Sequence, residues 1–311
     1  MNDTDTDTDP TPVPTPVHLF TDADDIRRRL DAVGHLVDDG TATALYLALA
    51  LERPLLVEGE PGVGKTTVAK ALAQAMGTPL VRLQCYEGLT ANEALYEWNY
   101  QRQLLAVRLA EARDERLGDA DLFTEEFLQD RPILRAIRHE GPVPPVLLID
   151  EIDRADDEFE ALLFEFLGEA SLTIPELGTF TAARRPVVIL TSNRSRELHD
   201  ALRRRCLYHW IDFPAPERAA EILRRTVPAA NEPLIASAAE FIGRVRRLDL
   251  DKAPGMAETI DWVSALSALR ASELVRADIV RTLSTIAKSP DDHTTITEAL
   301  DGLGFPEPAS A

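Results

Sequence analysis

Short apolar runs alternate with longer segments of helical periodicity over the first two thirds of the chain. The most continuous runs cover residues 54–58, 146–149 and 187–191. Runs of this length, bounded by polar residues, are typical of strands buried on both faces of a parallel sheet. Shorter runs at 80–84 and 208–213 predict two further strands. The alternation of strands with helices therefore predicts an α/β fold with a parallel sheet.

Helical periodicity fills the segments between these strands and dominates the last third of the chain. Thr21 or Asp22 can cap a first helix, which we expect to end at Gly40. Further helices are predicted at residues 43–51, 66–76, 92–115, 158–169 and 196–205, with a shorter helical region within 119–140. Residues 171–174 and 178–181 are expected to pair as a hairpin. Beyond Pro214 the pattern predicts only helices, at 216–227, 234–247, 257–270 and 275–288.

Changes in composition divide the chain into predicted domains. The first 20 residues are rich in Asp, Thr and Pro, cannot bury a core, and are expected to be disordered. An α/β domain is predicted over residues 21–214 and a small α-helical lid domain over 215–306, followed by a tail at 307–311.

Overall charge limits the classes of partner. The 311 residues carry 53 acidic and 33 basic side chains, a net charge of −20. Such a surface repels nucleic acid, so we expect no DNA partner.

No apolar run has the length of a transmembrane segment, and the N-terminus lacks a signal-peptide pattern, which predicts a cytoplasmic protein. Cys85 and Cys206 fit no metal or disulfide pattern and are expected to be buried thiols.

The strongest motif follows the strand at 54–58. Residues 59–66 fit the pattern G-x-x-x-x-G-K-[ST] of a phosphate-binding loop. Its glycines let successive peptide N–H groups face phosphate oxygens, Lys65 reaches the β- and γ-phosphates, and the Thr66 hydroxyl can ligate Mg²⁺. The motif predicts binding of ATP with Mg²⁺. The predicted nucleotide-binding residues are Gly59, Pro61, Gly62, Val63, Gly64, Lys65, Thr66 and Thr67.

Polar residues at the ends of the next two buried strands supply the predicted catalytic groups. Asp150 follows four apolar residues, so it lies at the carboxyl end of a strand, where open α/β sheets bind ligands. Together with Thr66 it is the predicted Mg²⁺ ligand. Glu151 is predicted to polarise the attacking water. Asn193 ends the following strand, where an amide can help to hold that water, although Asn is also common in turns at strand ends.

A run of three arginines, 203–205, ends the predicted helix at 196–205. Basic residues suit a helix C-terminus for electrostatic reasons alone. The alternative is an arginine finger, which reaches the nucleotide of a neighbouring subunit and adds positive charge at the transition state.

Taken together, these motifs resemble the AAA+ ATPase module. The spacing and the helical tail resemble the MoxR branch, and residues 83–88 (LQCYEG) and 94–100 (ALYEWNY) are similar to its CoxD-type subgroup. These are accessory ATPases of carbon monoxide dehydrogenase and similar molybdenum hydroxylases. The resemblance covers about residues 20–305.

The resemblance implies a P-loop NTPase core with a lid, and a homo-oligomeric ring, expected to be a hexamer. It implies chaperone-like remodelling or metal-centre maturation of a client enzyme, with a partner carrying a von Willebrand factor A domain. By position, Arg205 is the first finger candidate and Arg204 the second. Residues 252–258 lack the arginine that the family often has at the lid, so no lid sensor is assigned; Lys252 is a weak substitute.

Alternatives remain open at this stage. An ATP-dependent binding switch that docks its partner with little turnover uses the same motifs, although Glu151 favours hydrolysis. A DNA-acting AAA+ protein is disfavoured by the charge. Four aromatic residues either pack in the core or contact the client: Tyr86, Tyr96, Trp98 and Tyr100.

Overall fold

The computed structural model describes residues 19–305, so the predicted disordered tail and the C-terminal tail lie largely outside the described residues. Nine strands are described in this range: β1 Leu55–Gly59, β2 Leu80–Gln84, β3 Tyr96–Trp98, β4 Leu128–Asp130, β5 Val146–Asp150, β6 Ser171–Ile174, β7 Gly178–Thr181, β8 Val187–Ser192 and β9 Leu207–Ile211.

Helices cover most of the remaining chain. Those before the last strand are α1 Ala23–Ala32, α2 Asp39–Ala50, α3 Lys65–Met76, α4 Ala91–Ala94, α5 Tyr100–Glu111, α6 Asp119–Leu122, α7 Pro132–Ile137, α8 Asp157–Glu169 and α9 Asp200–Arg205. Those after it are α10 Pro216–Thr226, α11 Glu232–Val245, α12 Met256–Ala268, α13 Arg276–Thr282 and α14 Pro290–Ala299. In the described part of the chain, each helix is too short or too polar to cross a membrane.

Five strands form the central sheet in the order β2-β5-β8-β1-β9. β5 pairs in parallel with β2 on one side and with β8 on the other. Every residue of β1, β5 and β8 is buried, as the continuous apolar runs predict. β2 lies at an edge and alternates between buried and more exposed positions. This order brings the carboxyl ends of β2, β5 and β8 side by side.

The chain divides into two compact units, each with its own hydrophobic core. Unit 1 consists of residues 19–56 and 69–209 of the described chain, and unit 2 of residues 57–68 and 210–305. The core of unit 1 is built around β5, β8 and α8. The core of unit 2 is built from α10–α14 around Trp262, which is fully buried and donates from Nε1 to Thr282 Oγ1 at 2.7 Å.

The segment between β2 and β5 departs from the predicted helices. The predicted helix at 92–115 is wrong: α4 ends at Ala94, β3 follows, and α5 begins only at Tyr100. β3 pairs with β4, which lies within the region predicted to be helical at 119–140. Strands of three residues carry too little alternation to show in the sequence, whereas the flanking residues are good helix formers.

The ends of other helices also differ from the prediction. Gly40 does not end a helix; it lies in the first turn of α2, where Asp38 Oδ1 accepts from the Thr41 amide at 2.5 Å and caps the helix. The helix predicted at 196–205 is wrong in its first half, because α9 begins at Asp200. The predicted hairpin of β6 and β7 is confirmed.

Candidate functional site

The predicted phosphate loop connects β1 to α3 and belongs to unit 2. Gly62 and Gly64 have φ of 80° and 103°, in the left-handed region that favours glycine. A Cβ added at Gly64 would lie 3.0 Å from Thr67 Oγ1. α3 begins at Lys65, directly after the loop, so the positive end of its dipole faces the same space as the loop amides.

Side chains of the loop are held by its own carbonyl groups. The buried Lys65 donates from Nζ to the carbonyl oxygens of Gly59 and Glu60, at 2.7 and 2.9 Å. Thr67, a predicted nucleotide contact, donates from Oγ1 to Gly64 O at 2.5 Å, so its hydroxyl closes the loop. A tight glycine turn with a preoriented lysine and a helix N-terminus fits a phosphate group.

The first turn of α12 contacts this loop within unit 2. The Met256 amide donates to Gly62 O at 2.9 Å. A Cβ added at Gly255 would lie 2.8 Å from Gly62 Cα, and one at Gly62 would lie 2.9 Å from Gly255 Cα. Two glycines therefore allow the two backbones to touch. Glu258 stands near this contact, because its Oε2 would lie 2.7 Å from that Cβ of Gly255.

The predicted acidic residues lie in unit 1, at the carboxyl end of β5. The Asp150 carboxylate is buried, and Thr191 of β8 donates from Oγ1 to its Oδ1 at 2.6 Å. The same hydroxyl accepts from the Glu151 amide at 2.9 Å. Thr191 thus fixes both acidic residues. Its role was not predicted, because in the sequence it marks only the end of an apolar strand.

Glu151 has an uncommon backbone conformation and a more accessible side chain. Its φ of 57° and ψ of 50° place a residue with a Cβ in the left-handed region, a strain of the kind found at functional sites. Its Oε2 accepts from Gln84 Nε2 at 3.0 Å and pairs with Arg154 Nε at 3.1 Å. Because its side chain is 32% exposed, this carboxylate is open to water, as the predicted role requires.

Arg82 and Gln84 of the edge strand β2 are functional candidates that the sequence analysis passed over. Arg82 donates to Asp150 Oδ2 from Nη2 at 2.6 Å and from Nε at 3.0 Å, and it also contacts Gln84 Oε1. The parallel register places Gln84 beside Asp150. Two polar residues at alternate positions of a strand indicate a polar face, and this pattern was visible in the sequence. Nothing in the sequence, however, identifies β5 as the strand beside β2.

The pKa values of the two cysteine thiols reflect their surroundings. Burial, with a smaller contribution from the carboxylates of Asp150, Asp153 and Glu151, raises the pKa of the Cys85 thiol to about 12. Cys206 is also buried, and burial raises its pKa to about 12. Both cysteines are therefore neutral buried thiols at physiological pH, as predicted.

Asn193 directly follows β8. The backbone N–H of Asn193 donates to both carboxylate oxygens of Asp153 at 3.2 Å, and the backbone N–H and hydroxyl of Ser195 donate to Asp153 Oδ2 at 2.8 and 2.6 Å. Asp153 thus fixes the turn that presents Asn193. Contact of the Asn193 side chain with a nucleotide stays a prediction.

The segment from this turn to the arginine run is held by a buried carboxylate. Glu160 is fully buried, pairs with Arg196, and accepts from the His199 amide at 3.0 Å. These bonds to side chains replace the helical bonds that the sequence predicts before α9. Arg204 and Arg205 lie exposed in the last turn of α9. Arg205 stacks over the Phe164 ring at 4.7 Å; its role as a finger stays a prediction.

The four aromatic residues divide into two pairs. Trp98 is 7% exposed, and its ring meets those of Phe123 and Tyr96 edge to face, with centroids 5.1 and 6.5 Å away. Trp98 and Tyr96 therefore pack in or against the core. Tyr86 and Tyr100 are 43% and 63% exposed, so these two are the more accessible to another molecule.

The donor atoms fit the ligands that the motifs predict. Asp150 offers the buried carboxylate oxygens, and Thr66 the hydroxyl, that Mg²⁺ binds while keeping several waters. Within the described residues, no cluster of three or more His, Cys, Asp or Glu side chains forms a separate metal site. An oxygen atom that suits Mg²⁺ is therefore present in each unit: on Thr66 in the phosphate loop of unit 2, and on Asp150 in the acidic centre of unit 1, which consists of Asp150 and Glu151. That the two bind one ion together stays a prediction.

The sequence of residues 54–206 matches the family described as AAA domain (dynein-related subfamily). This match covers β1, the phosphate loop, the acidic centre and the arginine run. The chain contains an AAA domain. The predicted P-loop NTPase fold is confirmed: the matched residues contain four strands of the central sheet, β1, β2, β5 and β8, and the fifth, β9, follows directly.

Two curated proteins are similar to this chain over a larger region. The gas vesicle ATPase GvpN2 of Halobacterium salinarum is 27% identical over 217 residues, which cover 64% of this chain and 58% of that protein. Protein NorQ of Paracoccus denitrificans is 26% identical over 203 residues, covering 63% of this chain and 66% of NorQ. The match thus spans about three fifths of the length of these relatives.

A solved structure with a similar chain course is the RuvB Holliday junction branch migration motor of Thermotoga maritima. It is 17% identical, with a TM-score of 0.44, over 84% of this chain and 68% of that one. This distant likeness supports no statement about function.

Proposed function

We propose that the protein is a MoxR-type AAA+ ATPase that binds ATP with Mg²⁺, hydrolyses it in a homo-oligomeric ring, and uses the cycle to remodel or mature a client enzyme. The observation that carries the proposal is the acidic centre, where one threonine hydroxyl fixes both Asp150 and Glu151 at the end of β5. The phosphate loop and the AAA domain match support it.

Each half of the site has a role in this function. Lys65 and the loop amides bind the β- and γ-phosphates, while Thr66 and Asp150 would hold Mg²⁺, which screens phosphate charge. Glu151 accepts a proton from the attacking water, and Asn193 orients that water. The exposure of Glu151 and the fixed turn under Asn193 support these roles.

A two-variant test separates binding from turnover. Lys65→Ala removes the lysine of the phosphate loop, so ATP affinity measured by calorimetry should fall strongly. Glu151→Gln keeps the shape of the side chain but not its basicity, so ATP should still bind while hydrolysis falls by about 10²–10⁴-fold. Unchanged affinity in the first variant contradicts the phosphate-loop assignment. Turnover near the wild-type rate in the second contradicts the role of Glu151.

A ring with an arginine finger makes a further, independent prediction. We propose that Arg205, or Arg204 beside it, completes the site of a neighbouring subunit. Lys65→Ala and Arg205→Ala variants should each be nearly inactive, but a mixture should regain some activity, because an intact lysine site then meets an intact arginine. If a demonstrably monomeric sample hydrolyses ATP at the full rate per subunit, the shared site is wrong.

The client and the partner are the finer part of the proposal. Residues 83–88 and 94–100 favour the CoxD-type subgroup, and hence a molybdenum hydroxylase such as carbon monoxide dehydrogenase as client and a von Willebrand factor A protein as partner. A cytoplasmic location, expected from the sequence, is part of the same proposal. The test is co-purification with the products of neighbouring genes, comparing wild type with Glu151→Gln in ATP. Capture of unrelated proteins alone would remove the subgroup assignment.

The second candidate function is an ATP-dependent binding switch with little turnover. The observation that favours it is the pairing of Glu151 Oε2 with both Gln84 and Arg154 in this conformation, which lowers the ability of that oxygen to accept a proton from water. Hydrolysis measured with and without the partner distinguishes the two functions: a switch stays slow in both conditions, whereas a motor turns over steadily.

A further inference from the structure

The Asp150 carboxylate is held through both of its oxygens, by two chemically different groups. Thr191 donates a neutral hydroxyl to Oδ1 at 2.6 Å. Arg82 directs two nitrogens at Oδ2, Nη2 at 2.6 Å and Nε at 3.0 Å. Charged hydrogen bonds of this kind are stronger than neutral ones, so Arg82 contributes positive charge directly at Asp150 Oδ2.

The two partners of this ion pair differ in their freedom to leave it. The Asp150 side chain is 3% exposed, whereas that of Arg82 is 46% exposed and starts from the edge strand β2. A carboxylate this deeply buried is strongly destabilised without a positive partner. Arg82 can rotate into water and remain hydrated, but Asp150 cannot. If one positive group replaces another at Asp150, Arg82 is therefore the group that moves.

We propose that Arg82 is a positioning residue that compensates the charge of Asp150 until a divalent cation takes its place, and that it thereby raises the Mg²⁺ concentration at which nucleotide binds. The inference rests on the proposed function, since it assumes that Asp150 serves Mg²⁺. Mg²⁺ must therefore displace the charged, partly exposed contact of Arg82 before it can bind the Asp150 carboxylate.

Turnover is a poor measure of this role, because Arg82 also supports the second carboxylate. Its guanidinium contacts Gln84 Oε1, and Gln84 Nε2 donates to Glu151 Oε2 at 3.0 Å. Removing Arg82 therefore disturbs both Asp150 and Glu151. Binding and stability, measured as functions of Mg²⁺, isolate the effect at Asp150.

The chain provides a matched control in Arg154. It pairs with Glu151 Oε2 through Nε at 3.1 Å and its side chain is 60% exposed, so Arg154→Gln removes the same charge from the same region without touching Asp150. The variant to compare is Arg82→Gln. Both are studied in the full chain with a non-hydrolysable ATP analogue.

The experiment titrates Mg²⁺ against analogue binding, and in parallel records thermal unfolding in EDTA and in Mg²⁺ without nucleotide. For Arg82→Gln, half-saturation should occur at an Mg²⁺ concentration about three- to ten-fold lower than for wild type, the effect of one charged but partly exposed contact. Arg154→Gln should stay within about two-fold. In EDTA Arg82→Gln should unfold at a lower temperature than wild type, and Mg²⁺ alone should raise its midpoint more.

Two outcomes overturn the inference. An unchanged Mg²⁺ requirement with lower stability means that Arg82 only stabilises the fold, and a higher requirement means that Arg82 helps to form the ion site. If Arg82→Gln does not fold, Arg82→Lys decides: one nitrogen replaces two, so a shift in the same direction, about two-fold, is expected, and no shift refutes the idea. The proposed function fails separately, if wild type and Lys65→Ala bind the analogue equally.

Discussion

Replacing Thr191 by valine tests the arrangement of the acidic centre, because valine keeps the shape of threonine and loses only the hydroxyl. Thr191 is 1% exposed and Asp150 is 2% exposed, so water cannot replace the lost bonds. The bond to Asp150 Oδ1 is charged and should contribute about 1.5–3 kcal/mol, and the Glu151 amide loses its acceptor at a cost of about 1 kcal/mol. We therefore expect Thr191→Val to lower the free energy of unfolding of unit 1 by about 2–4 kcal/mol.

The measurement is denaturant unfolding, with hydrogen exchange of the β5 and β8 amides to report on unit 1 itself. The matched control is Thr173→Val on β6. Its exposed hydroxyl donates to Glu165 Oε1 at 2.9 Å and bonds with Thr179 Oγ1 at 3.0 Å, so the loss should be at most about 0.5 kcal/mol. If both variants lose the same stability, Thr191 does not organise the acidic centre.

Further predictions concern packing, ionisation and the buried ion pair. Gly255→Ala should destabilise unit 2 by about 1–3 kcal/mol in denaturant unfolding, because its Cβ would meet Gly62 Cα at 2.8 Å; a neutral result contradicts the backbone contact. The raised pKa of Cys85, about 12 against 9.0 for the free thiol, means that its contribution to stability is complete below pH 9 and is lost as pH rises towards 12. Iodoacetamide at pH 8 should therefore label Cys85 only after unfolding, and rapid labelling of the native protein would refute its burial. Glu160→Ala should lower stability by about 2–4 kcal/mol, since it leaves Arg196 without its buried partner; a loss below about 0.5 kcal/mol, the level of an ordinary surface change, would contradict this.

The parts of the site that were predictable from sequence are those encoded locally. The phosphate loop is a contiguous motif. The position of Asp150 at the end of a strand is predictable because four buried apolar residues precede it. The parallel sheet follows from the same apolar runs. These signals need no knowledge of which strands are neighbours.

The parts that escaped prediction depend on pairing between distant segments. β8 and β2 flank β5 in the sheet, and only this order places Thr191, Arg82 and Gln84 beside the acidic centre. No local sequence pattern predicts the order of the strands. β3 and β4 are three residues each and gain their structure from pairing, against the helical preference of their surroundings. Gly40 was misread because an effective cap at Asp38 outweighs the low helix propensity of glycine.

The assignment of residues 57–68 to unit 2 has a consequence for how this protein folds. Unit 2 is discontinuous, because the whole intervening segment up to residue 209 belongs to unit 1. The Met256–Gly62 hydrogen bond therefore joins residues 194 positions apart, the difference between 256 and 62. Contacts of such high contact order form late, since the chain must first be closed over a long loop. A fragment beginning at residue 210 would lack the phosphate loop altogether. If this loop is completed late in folding, we expect bound ATP to slow the unfolding of unit 2 rather than to speed its folding.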